Sequence, residues 1–287
     1  MSPPLRSFPS APPVEPDLRI DTAATVSILE GFIKSEVERT GLRRVVLGLS
    51  GGIDSALAAY LAARALGRSG VVGVLMPSRS SNPSSVRDAE SVVGALGIVA
   101  ERFDISEMVE VFSGQSGPIG PRRRGNVMAR IRMLVLYDRS VEHDALVLGT
   151  SNKTELLLGY GTIHGDLASA INPLGDLYKT QVRELSRALG VPKAILTKPP
   201  SADLWPSQTD EADLGASYDE IDRILALLVD ARVSPATIVA KGFKAETVSR
   251  LSRLILRSQF KRRMPVIAKV STRSVGWDFR YPRDWKS

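Results

Sequence analysis

The sequence predicts an α/β fold: a doubly wound parallel sheet flanked by helices, with a helical C-terminal elaboration. Two observations carry this expectation. Short aliphatic runs alternate with amphipathic stretches through the first half of the chain, and strands joined by helices pair in parallel through right-handed crossovers. Past Gly149 the texture changes, and apolar residues recur at three- and four-residue spacing to about Arg263. The length of 287 residues allows a sizeable core, and 43% hydrophobic with 24% charged residues argues against whole-chain disorder.

Residues 1–20 read as a disordered, proline-rich tail. Six of the 18 prolines fall between Met1 and Pro16, where they fix φ and remove backbone donors. This stretch lacks the apolar core of a targeting signal. Residues 21–287 read as a single domain, since no internal repeat or linker divides them. Asp21 is a fitting N-cap for an amphipathic helix over Thr22–Arg39. Strands are expected at 43–49 (RRVVLGL), 71–76 (VVGVLM), 98–103 and 145–149 (ALVLG), with helices between them at 54–66, 85–96 and 126–141. Later helices are expected at 177–189, 218–229 and 245–260.

Composition removes several kinds of chemistry. There is no cysteine, hence no disulfide, cysteine-bearing zinc site, iron–sulfur cluster or cysteine nucleophile. No apolar run approaches the roughly 18–20 residues of a membrane span, so a cytoplasmic protein without membrane contact is expected. A net charge of +7 suits an anionic partner, whether nucleic acid or a small phosphorylated substrate.

The most informative residues are Ser50-Gly51-Gly52-Ile53-Asp54-Ser55, between an expected buried strand and an expected helix. Backbone N–H groups at such a helix N-terminus favour a polyanion, and glycines let the backbone approach phosphate oxygens. Ser50 and Ser55 can add hydroxyl donors, and Asp54 can hold a divalent cation bridging phosphates. No Gly-Lys-Ser/Thr follows, so this is not a Walker A loop, and the glycine spacing does not fit a dinucleotide fingerprint. The bland alternative is an ordinary tight strand-to-helix turn.

A second block, Gly149-Thr150-Ser151-Asn152-Lys153-Thr154-Glu155, also follows an expected strand, where the carboxyl ends of an open sheet line the ligand crevice. Thr150 and Asn152 can hydrogen-bond a nucleotide, and Glu155 can share Mg²⁺ with Asp54. The same residues also read as a helix cap with Glu155 in the first turn.

SGGxDS is the pyrophosphate-binding signature of the N-type ATP pyrophosphatases, which this chain resembles. The motif alone leaves the substrate open. The order GTSNKTE, GYGTIHGD (159–166), NPLGDLYKT (172–180), KPPSADL (198–204), QTDE (208–211) and LGASY (214–218) resembles NAD synthetase over about residues 43–265. That resemblance implies an adenine nucleotide alpha hydrolase-like sheet in a homodimer whose interface helps build the dinucleotide site. It also implies that Mg-ATP adenylates the carboxylate of deamido-NAD and that ammonia displaces AMP to give NAD.

By motif, Gly48, Leu49, Ser50, Gly51, Gly52, Ile53, Asp54 and Ser55 would cradle the ATP phosphates. Asp54 and Glu155 would bind Mg²⁺, and Thr150, Lys179 and Ser201 would contact ATP, with Asp54 and Lys179 carrying the catalytic load. Lys179 suits the charge that develops as pyrophosphate leaves, although it also reads as a solvated lysine opening a helix. Ser201 also reads as a helix cap, and Arg79 is a weaker ATP candidate or a solvated loop residue. Arg130 matches the arginine that contacts deamido-NAD, and it shares a helix face with Asn126 while Arg132 points elsewhere. Phe260 and Lys261 stand where the family commonly has His-Lys. Arg122, Arg123 and Arg124 read as a solvated loop or as phosphate ligands.

Ile163 and Ala170 replace a lysine and an aspartate that contact the dinucleotide in some members, so those contacts are not carried over. His143 and His164 are given no catalytic role. The acidic stretch 206–214 is either a loop closing over the acyl-adenylate or an exposed connection.

Larger relatives release ammonia from glutamine with a cysteine. About twenty residues precede the first helix here and there is no cysteine, so free ammonia or a separate glutaminase is the expected source. An RNA-modifying relative such as a tRNA lysidine synthetase is the alternative enzyme. A non-catalytic nucleotide sensor is the alternative of another class, and the intact Ser50, Asp54, Glu155 and Lys179 argue against it.

Overall fold

The structure, a computed structural model, describes residues 17–117, 119–201, 203 and 209–274. Four strands form one parallel sheet: β1 (Arg44–Gly48), β2 (Val71–Leu75), β3 (Val99–Arg102) and β4 (Ala145–Val147), in the order β3-β2-β1-β4. The order reverses at β1, so the crevice outside the carboxyl ends opens beside it, where open α/β sheets bind ligands. Valines and leucines fill β1 and β2 on both faces. Val45, Leu47, Val71 and Leu75 join one apolar cluster, while Val46, Val72 and Val74 join another. That is the pattern of a sheet covered on both sides.

Helix α1 (Thr22–Arg39) starts at Asp21, whose carboxylate accepts from the Ala24 N–H at 3.0 Å. Together with α2 (Ile53–Leu66) and α7 (Lys179–Ala188) it packs on the first face. Helix α3 (Pro83–Leu96) begins after an Asn82 cap and connects β2 to β3. On the other face α5 (Pro121–Glu142) packs against β1 and β4.

Short helices α6 (Lys153–Leu158), α8 (Lys193–Thr197) and α9 (Asp210–Leu214) lead into α10 (Tyr218–Leu225), α11 (Pro235–Ala240) and α12 (Ala245–Arg257). Here Tyr218, Ile221, Ile224, Leu225, Ile238, Val248 and Leu251 form a third apolar cluster away from the sheet. Among the described residues no helix is long and apolar enough to cross a membrane.

Several expected boundaries move. Helix α5 starts at Pro121 rather than at residue 126, because proline suits the first turn of a helix. Arg122, Arg123 and Arg124 are therefore helical rather than in a loop. Helix α4 (Ser106–Ser116) was not expected, since Val109 is its only buried residue and leaves little periodic signal. The helix expected over 218–229 leaves α geometry after Leu225 and finishes as a π turn, Ala226–Asp230. The one expected over 245–260 ends at Arg257 and is followed by a 3-10 turn, Gln259–Arg262.

Residues 1–16 of the expected tail lie outside the described residues. Within 17–20, Leu18 and Ile20 pack against apolar clusters, and the Leu18 carbonyl accepts from Gln181 Nε2.

Candidate active site

The loop after β1 is held by its own serines. Ser50 Oγ accepts from the Gly52 N–H and lies 3.1 Å from Ser55 Oγ, which is within 3.0 Å of the Gly52 carbonyl. Ser55 is buried, so its hydroxyl braces the loop from within. Gly51 has φ +75°, and a Cβ there would lie 2.1 Å from the Ser85 carbonyl oxygen at the start of α3. Only glycine fits both constraints. Gly52 then caps α2 without a side-chain hydrogen bond, leaving the helix dipole and first-turn amides for an anion. Gly48 ends β1, and Leu49 and Ile53 are buried anchors on either side of the loop.

Beyond β4, the helix-cap reading of GTSNKTE holds. Asn152 caps α6 by accepting from the Glu155 N–H at 2.9 Å, and Glu155 answers by accepting from the Asn152 N–H at 3.2 Å. The Asn152 amide donates onward to Asp54 Oδ1 at 2.8 Å. Thr150, half-buried, lies between β4 and this cap. The cap thus carries Glu155 towards Asp54 and fixes its rotamer.

Lys179 completes the centre. Its ammonium lies 2.5 Å from Asp54 Oδ2 and 3.2 Å from Glu155 Oε1, with the side chain almost wholly enclosed. Burial opposes the charge on Lys179, but the Asp54 and Glu155 carboxylates outweigh it and hold its pKa above the usual lysine range. Burial raises the Glu155 pKa, offset in part by Lys179 and reinforced by Asp54.

Asp210 adds a third nearby carboxylate, raised by its own burial. The Tyr218 hydroxyl donates to it at 3.1 Å, and the Tyr160 hydroxyl lies 3.0 Å from it. The Lys179 ammonium also faces the Tyr218 ring, 5.2 Å from its centroid. Beneath them, buried Asp222 accepts from Thr154 Oγ1 at 2.6 Å and from the Thr180 N–H at 2.8 Å, tying α6, α7 and α10 together.

Asp54 and Glu155 converge on one cationic point. Two hard carboxylates fit Mg²⁺, which keeps waters and takes its remaining ligands from substrate phosphates. No larger metal-binding cluster of acidic or histidine residues occurs among the described residues.

A second region lies along α5. Arg130 Nη2 donates to the Ile163 carbonyl at 3.4 Å, and Asn126 Oδ1 accepts from Thr162 Oγ1 at 2.9 Å, so both face the 159–166 loop. The Lys261 ammonium donates to the Gly159 and Gly161 carbonyls, each at 2.7 Å, and so shapes that loop from the other side. Phe260 beside it is exposed. Burial lowers the Lys261 pKa, the Asp166 carboxylate opposes that, and Arg122 adds a smaller push downward.

Ser201, in the turn after Pro200, is exposed and accepts from the Asp203 N–H, while Asp203 accepts from the Asn82 N–H at the head of α3. Arg79 is exposed. His143 pairs with Glu101 at the edge of the sheet, and His164 has φ +56° within the 159–166 loop. Of the stretch 206–214, residues 206–208 lie outside the described residues. The remainder forms the Thr209 cap and α9, which carries Asp210 to the centre.

The sequence reading passed over Asp210, Tyr160, Tyr218, Asp222 and Arg262. The acidic run after Thr209 held a signal for Asp210. The others become recognisable only once distant helices are packed.

These geometries can be set beside known proteins. A family model described as NAD synthase matches residues 25–265. The NH(3)-dependent NAD(+) synthetase of Chlorobium phaeobacteroides is 52% identical over 270 residues, covering 94% of this chain and 98% of that one. Among solved structures, the NH3-dependent NAD synthetase of Campylobacter jejuni has a TM-score of 0.75 and 35% identity, with coverage of 88% and 100%. The NMN synthetase of Francisella tularensis has a TM-score of 0.78 and 33% identity, with coverage of 87% and 99%. Matched by the family model over residues 25–265 and by relatives along nearly its full length, the chain belongs to the NAD synthase family.

Proposed function

We propose that this chain performs the last step of NAD biosynthesis. It adenylates the carboxylate of deamido-NAD with ATP, and ammonia then displaces AMP, giving NAD, AMP and pyrophosphate. It is a ligase forming a C–N bond. The observation that carries the reading is the convergence of Asp54, Glu155 and Lys179 beside a phosphate-binding loop, in a chain matched along nearly its full length by NH(3)-dependent NAD(+) synthetases.

Each group has a task. The free amides opening α2 receive the triphosphate. Asp54 and Glu155 would hold Mg²⁺, which when bound neutralises phosphate charge as pyrophosphate departs. Lys179, kept charged by its carboxylates, stabilises the negative charge growing on the leaving group. Thr150 and Ser201 line the ATP side. Arg130, Phe260 and Lys261 line the dinucleotide side, with Lys261 acting by holding the 159–166 loop.

We assign the protein to the cytoplasm. Ammonia arrives free or from a separate glutaminase, since the chain contains no cysteine to release it from glutamine. A homodimer is supported by an exposed apolar stripe on α5, Leu134, Tyr137 and Val141, and by exposed Val99 on edge strand β3. The relatives favour the dinucleotide substrate over the RNA-modifying alternative. The kinship with an NMN synthetase makes nicotinate mononucleotide the competing acid.

Exchange of labelled pyrophosphate into ATP, run without ammonia, tests the adenylation half-reaction. Exchange is expected with deamido-NAD and to be weaker with the mononucleotide. No exchange with either acid would overturn the reading.

A further inference from the structure

We propose that Arg132 is a phosphate-binding residue of the adenine-nucleotide half of the site, an inference resting on the ATP-dependent function just given. Two residues apart on α5, Arg130 and Arg132 point about 200° apart around the helix axis. Arg130 reaches the 159–166 loop, whereas Arg132 Nε donates to the Met76 carbonyl at 3.2 Å, just past the end of β2. Leu49 N–H donates to the Val74 carbonyl, so Met76 and Ser50 leave the sheet at the same level. A Cβ on Gly48 would lie 3.0 Å from Met76 Cε, so the ends of β1 and β2 are in contact. Arg132 therefore enters the crevice at the carboxyl edge, on the strand next to the phosphate loop.

Its charge is unmet there. Among the described residues no hydrogen bond or ion pair engages either Nη nitrogen; the Nε–Met76 bond is its one hydrogen bond. The side chain is half-buried; Asp203 and Asp166 act on it only from beyond ion-pair distance, and its partial burial lowers its pKa. A guanidinium does not give up its proton near neutrality, and a half-buried one without a counter-charge is held at some cost. Two free amino groups in a rigid plane match the oxygens of a phosphate. The nucleotide is the better partner because Met76 lies beside the loop after β1, and because nearby Asp203 links Ser201 to the head of α3. Arg130 and Lys261 serve the other half.

Calorimetric titration of the full chain with AMP, and with adenosine as the analogue lacking the phosphate, tests this. Arg132→Met is expected to lose roughly tenfold or more in AMP affinity while adenosine binding stays within about twofold. Its ligand-free melting temperature should equal or exceed that of the wild type, because an unmet charge has been removed. Arg132→Lys keeps the charge without the fork and should fall between the two. Unchanged AMP affinity, or an equal loss for adenosine, would overturn the proposal. If the methionine variant fails to fold, the lysine variant decides by the same comparison. Wild-type protein that binds no AMP would overturn the nucleotide reading itself, and this proposal with it.

Discussion

Asp54 joins two halves of the site: its carboxylate accepts from Asn152, beyond β4, and from Lys179, 125 residues away in sequence. An amide at this position keeps the shape but loses the charge that balances the buried ammonium and any divalent ion. Asp54→Asn should retain its fold and lose on the order of 10²–10³-fold in adenylation rate, measured by single turnover with Mg-ATP and deamido-NAD. A variant with normal turnover would refute the metal assignment. At this scale the sequence was informative where motif and strand end coincide, as at Ser50, Gly51, Asp54 and Glu155. It was silent where a role depends on packing between distant helices. Asp222 supports both Thr154 and Thr180 but looks like any acidic residue in YDEIDRIL. Ser55 reads as a phosphate donor, yet its hydroxyl is turned into its own loop.

Among the elements, short helices depend most on their ends. Arg262 Nη1 donates to the Leu156 and Leu157 carbonyls at the end of α6, and Nη2 donates to the Ile255 carbonyl near the end of α12. One guanidinium thus adds donors to the terminal carbonyls of two helices, alongside the Gly159 N–H and Ser258 Oγ, and one of these helices carries Glu155. Arg262→Ala should cost about 2 kcal/mol and lower the melting temperature by roughly 4–8 °C. Thermal denaturation followed by circular dichroism checks this, and an unchanged midpoint would count against the clamp. Periodicity located most helices but not their termini. It could not show that Pro121 opens α5 ahead of its apolar stretch, nor that the helix from Tyr218 turns to π geometry after Leu225.

Across the whole molecule, the alternation of strands and helices was legible because the sheet is buried on both faces and its strands are continuous apolar runs. The third apolar cluster was legible as helices but not as a wall of the site, because contacts between α6, α10 and α12 are long-range. Assembly is argued from surface rather than motif. Val141, 79% exposed on α5, extends the stripe of Leu134 and Tyr137. Val141→Asp should leave the monomer folded and shift sedimentation from dimer to monomer, with weaker deamido-NAD binding. A wild-type chain that sediments as a monomer would contradict the homodimer.

Mass spectrometry of the products formed from deamido-NAD and Mg-ATP, with either ammonium or glutamine as nitrogen source, decides whether this chain is an ammonia-dependent synthetase. NAD and AMP in equal amounts with ammonium, and none with glutamine, is the predicted result. No NAD with ammonium would mean that the chain does not amidate deamido-NAD.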